Sequence, residues 1–135
     1  MIVAASLDTN VLVRLIVKDD DRQTQAAFEL LEKHVKKSQS LFVPVTVVLE
    51  LEWVLRSRYK FTKADVMGML SSLLMTFELV FESEGALEQA LASYEDGSAD
   101  YADCLHLALA TKQKALPFMT FDANAAKQAG AVLLT

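Results

Sequence analysis

Short, mainly apolar runs alternate along this chain with longer stretches of helical periodicity, and that alternation limits the possible folds more than any other feature. IVAASL near the N-terminus, LFVP, FELVF, PFMTF and the closing AVLL each read as a strand. Helical sequence from about Asn10 to Lys37 lies between the first two, broken near KDDDR, with Asp21 or Thr24 to cap its second part. Residues 45–58 are helical, and TKADVMGMLSSLLM follows with Thr62 as cap and Asp65 at the capping-box position. EGALEQALASYED is amphipathic and stops at Gly97. ADYADCLHLALATKQ is apolar on nearly every side and is expected to be buried, and ANAAKQAG is a short helix ended by Gly130. Strands of this kind, IVAASL among them, are expected to be buried in a parallel sheet covered on both faces. Such sheets collect ligands beyond the carboxyl ends of their strands, where strand order reverses. Asp8 and Asp122 both stand at strand carboxyl ends.

Composition narrows the class. At 135 residues, 53% hydrophobic and 23% charged, the chain is expected to form one domain, residues 1–135, with a substantial core. Its single cysteine, Cys104, allows no intramolecular disulfide and fits a reducing cytoplasm. Asp8, Asn10 and Arg14 interrupt the apolar N-terminus before a signal-peptide core forms, and no apolar stretch approaches the roughly 20 residues of a membrane helix. A cytoplasmic protein with no membrane association is the expectation. The formal net charge of −5 argues at first against nucleic-acid binding. Acids crowd between Glu78 and Asp103, however, whereas bases gather in KHVKK and RSRYKFTK. Acids that hold divalent cations are neutralised, so the bare charge overstates the repulsion.

Particular acids stand where acids are costly. Glu52 has Arg56 four residues later, an exposed ion pair that explains it. Glu50 has Thr46, Val47, Trp53 and Val54 as helical neighbours, and either bends out to water from the edge of an apolar stripe or meets a cation. Asp103 falls in the first turn of the apolar helix, where the dipole is expected to lower its pKa; it either completes a capping box with Asp100 or serves a site. His106, one turn on, reads as a hydrogen-bonded core residue rather than a ligand. Asp8 and Asp122 singly read as helix caps. Together, Asp8, Glu50, Asp103 and Asp122 come from four separate segments, and their convergence would require bound cations to relieve the repulsion. Oxygen donors without Cys or His select Mg²⁺ or Mn²⁺, which suits phosphodiester hydrolysis. Asn10, Thr120 and Asn124 are placed to orient carboxylates or waters.

At these residues the chain resembles the PIN domain family, specifically the VapC-type ribonuclease toxins of toxin–antitoxin pairs. The resemblance rests on LDTNVLVRL, VPVTVVLELEWVLRS, DYADCLHLALA and MTFDANAAKQAGAVLL, in matching order and spacing over nearly the whole chain. It implies an α/β fold, a three-layer α/β/α sandwich with a central parallel sheet whose first and fourth strands are adjacent. It implies Asp8, Glu50 and Asp103 as metal-holding acids, Asp122 as the more variable fourth, Asp100 as a companion, and Thr9 and Asn10 as the polar residues after the first acid. Asn124 stands where many relatives carry a further acid. The resemblance further implies Mg²⁺- or Mn²⁺-dependent endoribonuclease activity on an RNA substrate, a homodimer, and a cognate antitoxin whose C-terminal segment blocks the site. Arg14, Arg56, Arg58 and Lys60 are candidates for RNA phosphate contacts.

The rival readings are weaker on the same residues. A doubly wound phosphatase of the haloacid-dehalogenase type needs a second acid as general acid/base where this chain has Asn10, and a late strand-end Lys that it lacks. Receiver domains want an acidic pair after the first strand and a late Lys. A non-catalytic PIN-like interaction module would be expected to have lost its acids, and all four are present.

Overall fold

The computed structural model describes residues 2–135, and the chain divides into two compact units, the first ending at Glu82 and the second Ser83–Thr135. The first unit runs β1 (Ile2–Ser6), α1 (Thr9–Ile16), α2 (Asp21–Lys36), β2 (Gln39–Val43), α3 (Val45–Ser57), α4 (Lys63–Leu74) and β3 (Leu79–Phe81). Its strands form one sheet in the order β1-β2-β3, parallel throughout. Parallel neighbours need a crossover of a dozen residues or more, which the helix pairs α1–α2 and α3–α4 provide. The parallel α/β class read from the alternation is therefore present.

β2 is the central strand, and Ser40, Leu41 and Val43 are buried on it. β1 is an edge strand, irregular in register between Val3 and Ala5, and all five of its residues are exposed. The expectation of a buried first strand is thus corrected. A strand paired on one side only, carrying small side chains at Ala4, Ala5 and Ser6, has little of its own to bury, and burial begins at Leu7. The core of this unit is Leu12, Val13, Leu41, Val43, Val48, Leu51, Leu55, Val66 and Leu70, drawn from α1, β2, α3 and α4. Asp20, not Asp21 or Thr24, caps α2 by accepting the Gln23 amide at 2.9 Å. Thr62 caps α4 as expected, accepting the Asp65 amide at 3.2 Å.

The second unit runs α5 (Glu84–Asp96), α6 (Tyr101–Lys112), β4 (Phe118–Thr120), α7 (Ala123–Ala126) and β5 (Ala131–Leu133), with β4 and β5 parallel. α5 and α6 pack against each other, burying Ala86, Leu87, Ala90 and Tyr94 on one and Tyr101, Cys104, Leu105, Leu107 and Ala108 on the other. Tyr94 and Tyr101 meet edge to face at 5.6 Å between centroids. α5 ends at Gly97 as expected. Gly130 adopts φ +93°, and a Cβ there would meet Leu116 at 3.4 Å, so glycine is what lets the chain turn into β5. Among the described residues no helix is long and apolar enough to cross a membrane.

Candidate active site

In the first unit the site residues cluster where β1 gives way to α1. The chain leaves the strand through Leu7, and Asp8 takes the N-cap of α1 with its Oδ1 accepting the Thr9 amide at 2.7 Å. Its carboxylate is exposed, and its second oxygen accepts no hydrogen bond among the described residues. Thr9 is buried, and its hydroxyl donates a short hydrogen bond to Oε1 of Glu50 on α3. A threonine adjacent to the first acid thus holds the second, across 41 residues of sequence. Asn10 is exposed on the next position of α1.

Of the alternatives for Glu50 the structure shows the exposed one, whereas Glu52, expected at the surface, is buried. The buried face of α3 is Val48, Leu51, Glu52, Val54 and Leu55, whereas Thr46, Glu50, Trp53 and Arg56 are exposed. Glu50 therefore lies in water rather than on an apolar stripe facing the core. Glu52 is 2% exposed and meets Arg56 through Nε to Oε2 at 2.8 Å. Its pairing was legible from the four-residue spacing, but its burial was not. The reason is phase: of the apolar neighbours of Glu50 only Val54 is buried, whereas Val47 is half-buried and Trp53 is exposed.

In the second unit Asp100 occupies the N-cap of α6 but makes no side-chain cap bond, and it is exposed. Asp103 is half-buried in the first turn. Its pKa is raised, not lowered as the helix dipole alone suggested. Burial is the largest cause, the Asp122 carboxylate adds to it, His106 partly offsets it, and Asp100 raises it further. Loss of hydration and nearby negative charge outweigh the dipole here. Asp122 caps α7 with Oδ1, which accepts the Asn124 amide at 2.8 Å and the Ala125 amide at 2.9 Å. The Thr120 hydroxyl accepts the Asp122 amide at 3.0 Å, and the Ser98 hydroxyl donates to Asn124 at 3.3 Å. His106 is exposed, its ring 6.2 Å from that of Phe118, and is not the core histidine expected.

The basic candidates divide. Arg14 donates to Gln23 at 2.6 Å, Asp19 at 2.7 Å and Tyr59 at 3.1 Å, and Tyr59 in turn donates to Asp19 at 2.9 Å. The Tyr59 hydroxyl leads the causes that raise the pKa of its guanidinium. Arg56 is engaged by Glu52. Arg58 lies over the Trp53 ring at 5.9 Å from its centroid, and Lys60 is exposed. Ser98 and Trp53 were not singled out from sequence. Trp53 carried a signal, its position three residues after Glu50, whereas Ser98 carried none.

Each unit thus presents carboxylates with oxygen neighbours and no thiolate or imidazole bound among them, a donor set suited to a hard divalent cation. In the second unit Asp103 is pressed by neighbouring negative charge that such a cation would relieve. Among the described residues no group of three His, Cys, Asp or Glu side chains is drawn together closely enough to hold a metal. Residues 5–131 match the PIN domain family. The chain is 26% identical to the VapC ribonuclease of Aquifex aeolicus (strain VF5) over 106 residues, which is 78% of each sequence. The crystal structure of Mycobacterium tuberculosis VapC20, a Sarcin-Ricin loop cleaving toxin, aligns over 94% of this chain and 96% of its own at 15% identity, with a TM-score of 0.40.

Proposed function

This chain belongs to the PIN domain family, and from that premise we propose that it is a divalent-metal-dependent endoribonuclease acting as the toxin of a toxin–antitoxin pair. The observation that carries the reading is the bond from Thr9 to Glu50, which brings the acid of α3 to the residue that follows Asp8. The Aquifex relative, called a ribonuclease, supports the reaction class. Asp8, Glu50, Asp103 and Asp122 are the residues that would hold Mg²⁺ or Mn²⁺, all within one domain of residues 1–135. The family match supports that unity, since it runs through both compact units.

A divalent cation in such a site supplies an activated water for in-line attack and stabilises the leaving oxygen of the phosphodiester. The chain's own residues do the rest. Thr9 orients the Glu50 carboxylate through its hydroxyl. Asp122 has one oxygen occupied by two backbone amides, so only its Oδ2 is available for a metal or a water. Thr120 and Ser98 steady Asp122 and Asn124 in turn. Asp100, whose side chain does not cap α6, is available to assist the proposed metal-holding acids. Asn10, which cannot transfer a proton, serves as a hydrogen-bonding group. Arg14, Arg56, Arg58 and Lys60 are assigned to the RNA strand, with Arg58 and Lys60 the less encumbered by internal acids.

The antitoxin is assigned to an apolar groove of about 700 Å³ between α1, α2 and α4, lined by Leu15, Ile16, Phe28, Leu31, Gly68 and Met69. An amphipathic segment can lay its apolar side there. The working form is a cytoplasmic homodimer. The test is cleavage of RNA by the purified chain with Mg²⁺ or Mn²⁺, and its loss in excess chelator or in Asp8→Asn. Undiminished cleavage under either condition would sink the proposal.

A further inference from the structure

We propose that Trp53, with the Arg58 guanidinium against its ring, is a stacking platform for an unpaired RNA base beside the phosphodiester to be hydrolysed. The inference deepens the ribonuclease reading and rests on it. Trp53 is the chain's one tryptophan, and it is 49% exposed on α3. It shares the exposed face of that helix with Glu50, three residues earlier, so their Cβ atoms are about 5–6 Å apart. A large flat ring in water, one helical turn from a proposed metal-holding acid, offers the π-face on which any base stacks.

The cation against the ring strengthens the assignment. Arg14 and Arg56 have acids of the chain as partners, Asp19 and Glu52, whereas Arg58 makes no ion pair among the described residues. Its charge, 5.9 Å from the indole centroid, is available to a phosphate while it lies over the ring. In a chain of net charge −5, a local cation next to an aromatic face is what gives an RNA strand somewhere to settle. Stacking requires a base free of its own helix, so the substrate class is an unpaired or loop nucleotide rather than an A-form duplex.

Because Trp53 is the only tryptophan, its fluorescence reports the platform directly. The full chain in chelator is titrated with a single-stranded RNA oligonucleotide, the same strand in duplex, and the same strand with abasic ribose. Binding is followed in parallel by anisotropy of labelled RNA. Quenching by the single strand, and much less by duplex or abasic strand, is expected. Binding without quenching, or no binding, overturns the platform. Emission that follows protein concentration rather than RNA also overturns it, by placing the ring in a contact between copies of the chain. In cleavage assays Trp53→Ala should raise KM about tenfold with kcat little changed, and Trp53→Phe should restore most of the loss. An unchanged KM in Trp53→Ala overturns the platform and leaves the nuclease reading standing. Absence of cleavage by the unaltered chain with either metal removes the nuclease reading, while the fluorescence titration still decides whether the ring stacks RNA.

Discussion

Thr9 is buried, and its hydroxyl is turned to Glu50 rather than to the backbone. Thr9→Val keeps the shape and removes only that donor. Cleavage is expected to fall about 10- to 100-fold, the usual cost of losing a group that orients a metal ligand, with little change in melting temperature. Parallel activity and thermal-melt measurements on the variant check this. Asp103 makes the opposite kind of prediction. Its folded pKa is raised above the unfolded value by burial, Asp122 and Asp100, so the stability linked to it is present below the ordinary carboxylate range and is lost as pH rises through the folded pKa. Asp103→Asn, which cannot ionise, should therefore melt higher than the unaltered chain at neutral pH in chelator, and the advantage should vanish in acid. It should also be inactive. A lower melting temperature at neutral pH would contradict the charge crowding inferred around Asp103.

At the scale of elements, α3 decides most of what the site is. One face carries Leu51 and Leu55 into the core at 0% exposure, and Leu51→Ala is expected to cost about 2–5 kcal/mol in urea unfolding. The other face carries Glu50 and Trp53 into water. Reading that helix from sequence placed the acids correctly along the chain but missed that Glu52 faces inward. Val47, Val54 and Trp53 made the neighbourhood of Glu50 look interior, and only packing against α1 and α4 shows the buried face turned toward Glu52. Helix α4 offers a cleaner test. A Cβ at Gly68 would meet nothing within 4 Å. Gly68→Ala should therefore stabilise the chain by about 0.5–1 kcal/mol through helix propensity. Gly68→Leu should project into the apolar groove and weaken antitoxin binding, measured by titration calorimetry, without loss of ribonuclease activity.

For the molecule as a whole, the proposed metal binding predicts linkage between binding and folding. Saturating Mg²⁺ or Mn²⁺, at about 100 times its dissociation constant, should add about 2.7 kcal/mol and raise the melting temperature in calorimetry. Asp8→Asn should lose most of that shift. What the sequence determined alone was the run of elements, the parallel α/β class, and the caps at Asp8, Thr62 and Asp122. All of these depend on local periodicity, on turn chemistry and on which residues stand next to one another. What only the tertiary structure decided was β1 as an exposed edge, the burial of Glu52 and the exposure of Glu50, the raised pKa of Asp103, the exposed His106, and the hydroxyl of Thr9 reaching Glu50. Each of those depends on the rotation of an element about its own axis and on neighbours far away in the chain, and a one-dimensional pattern carries neither.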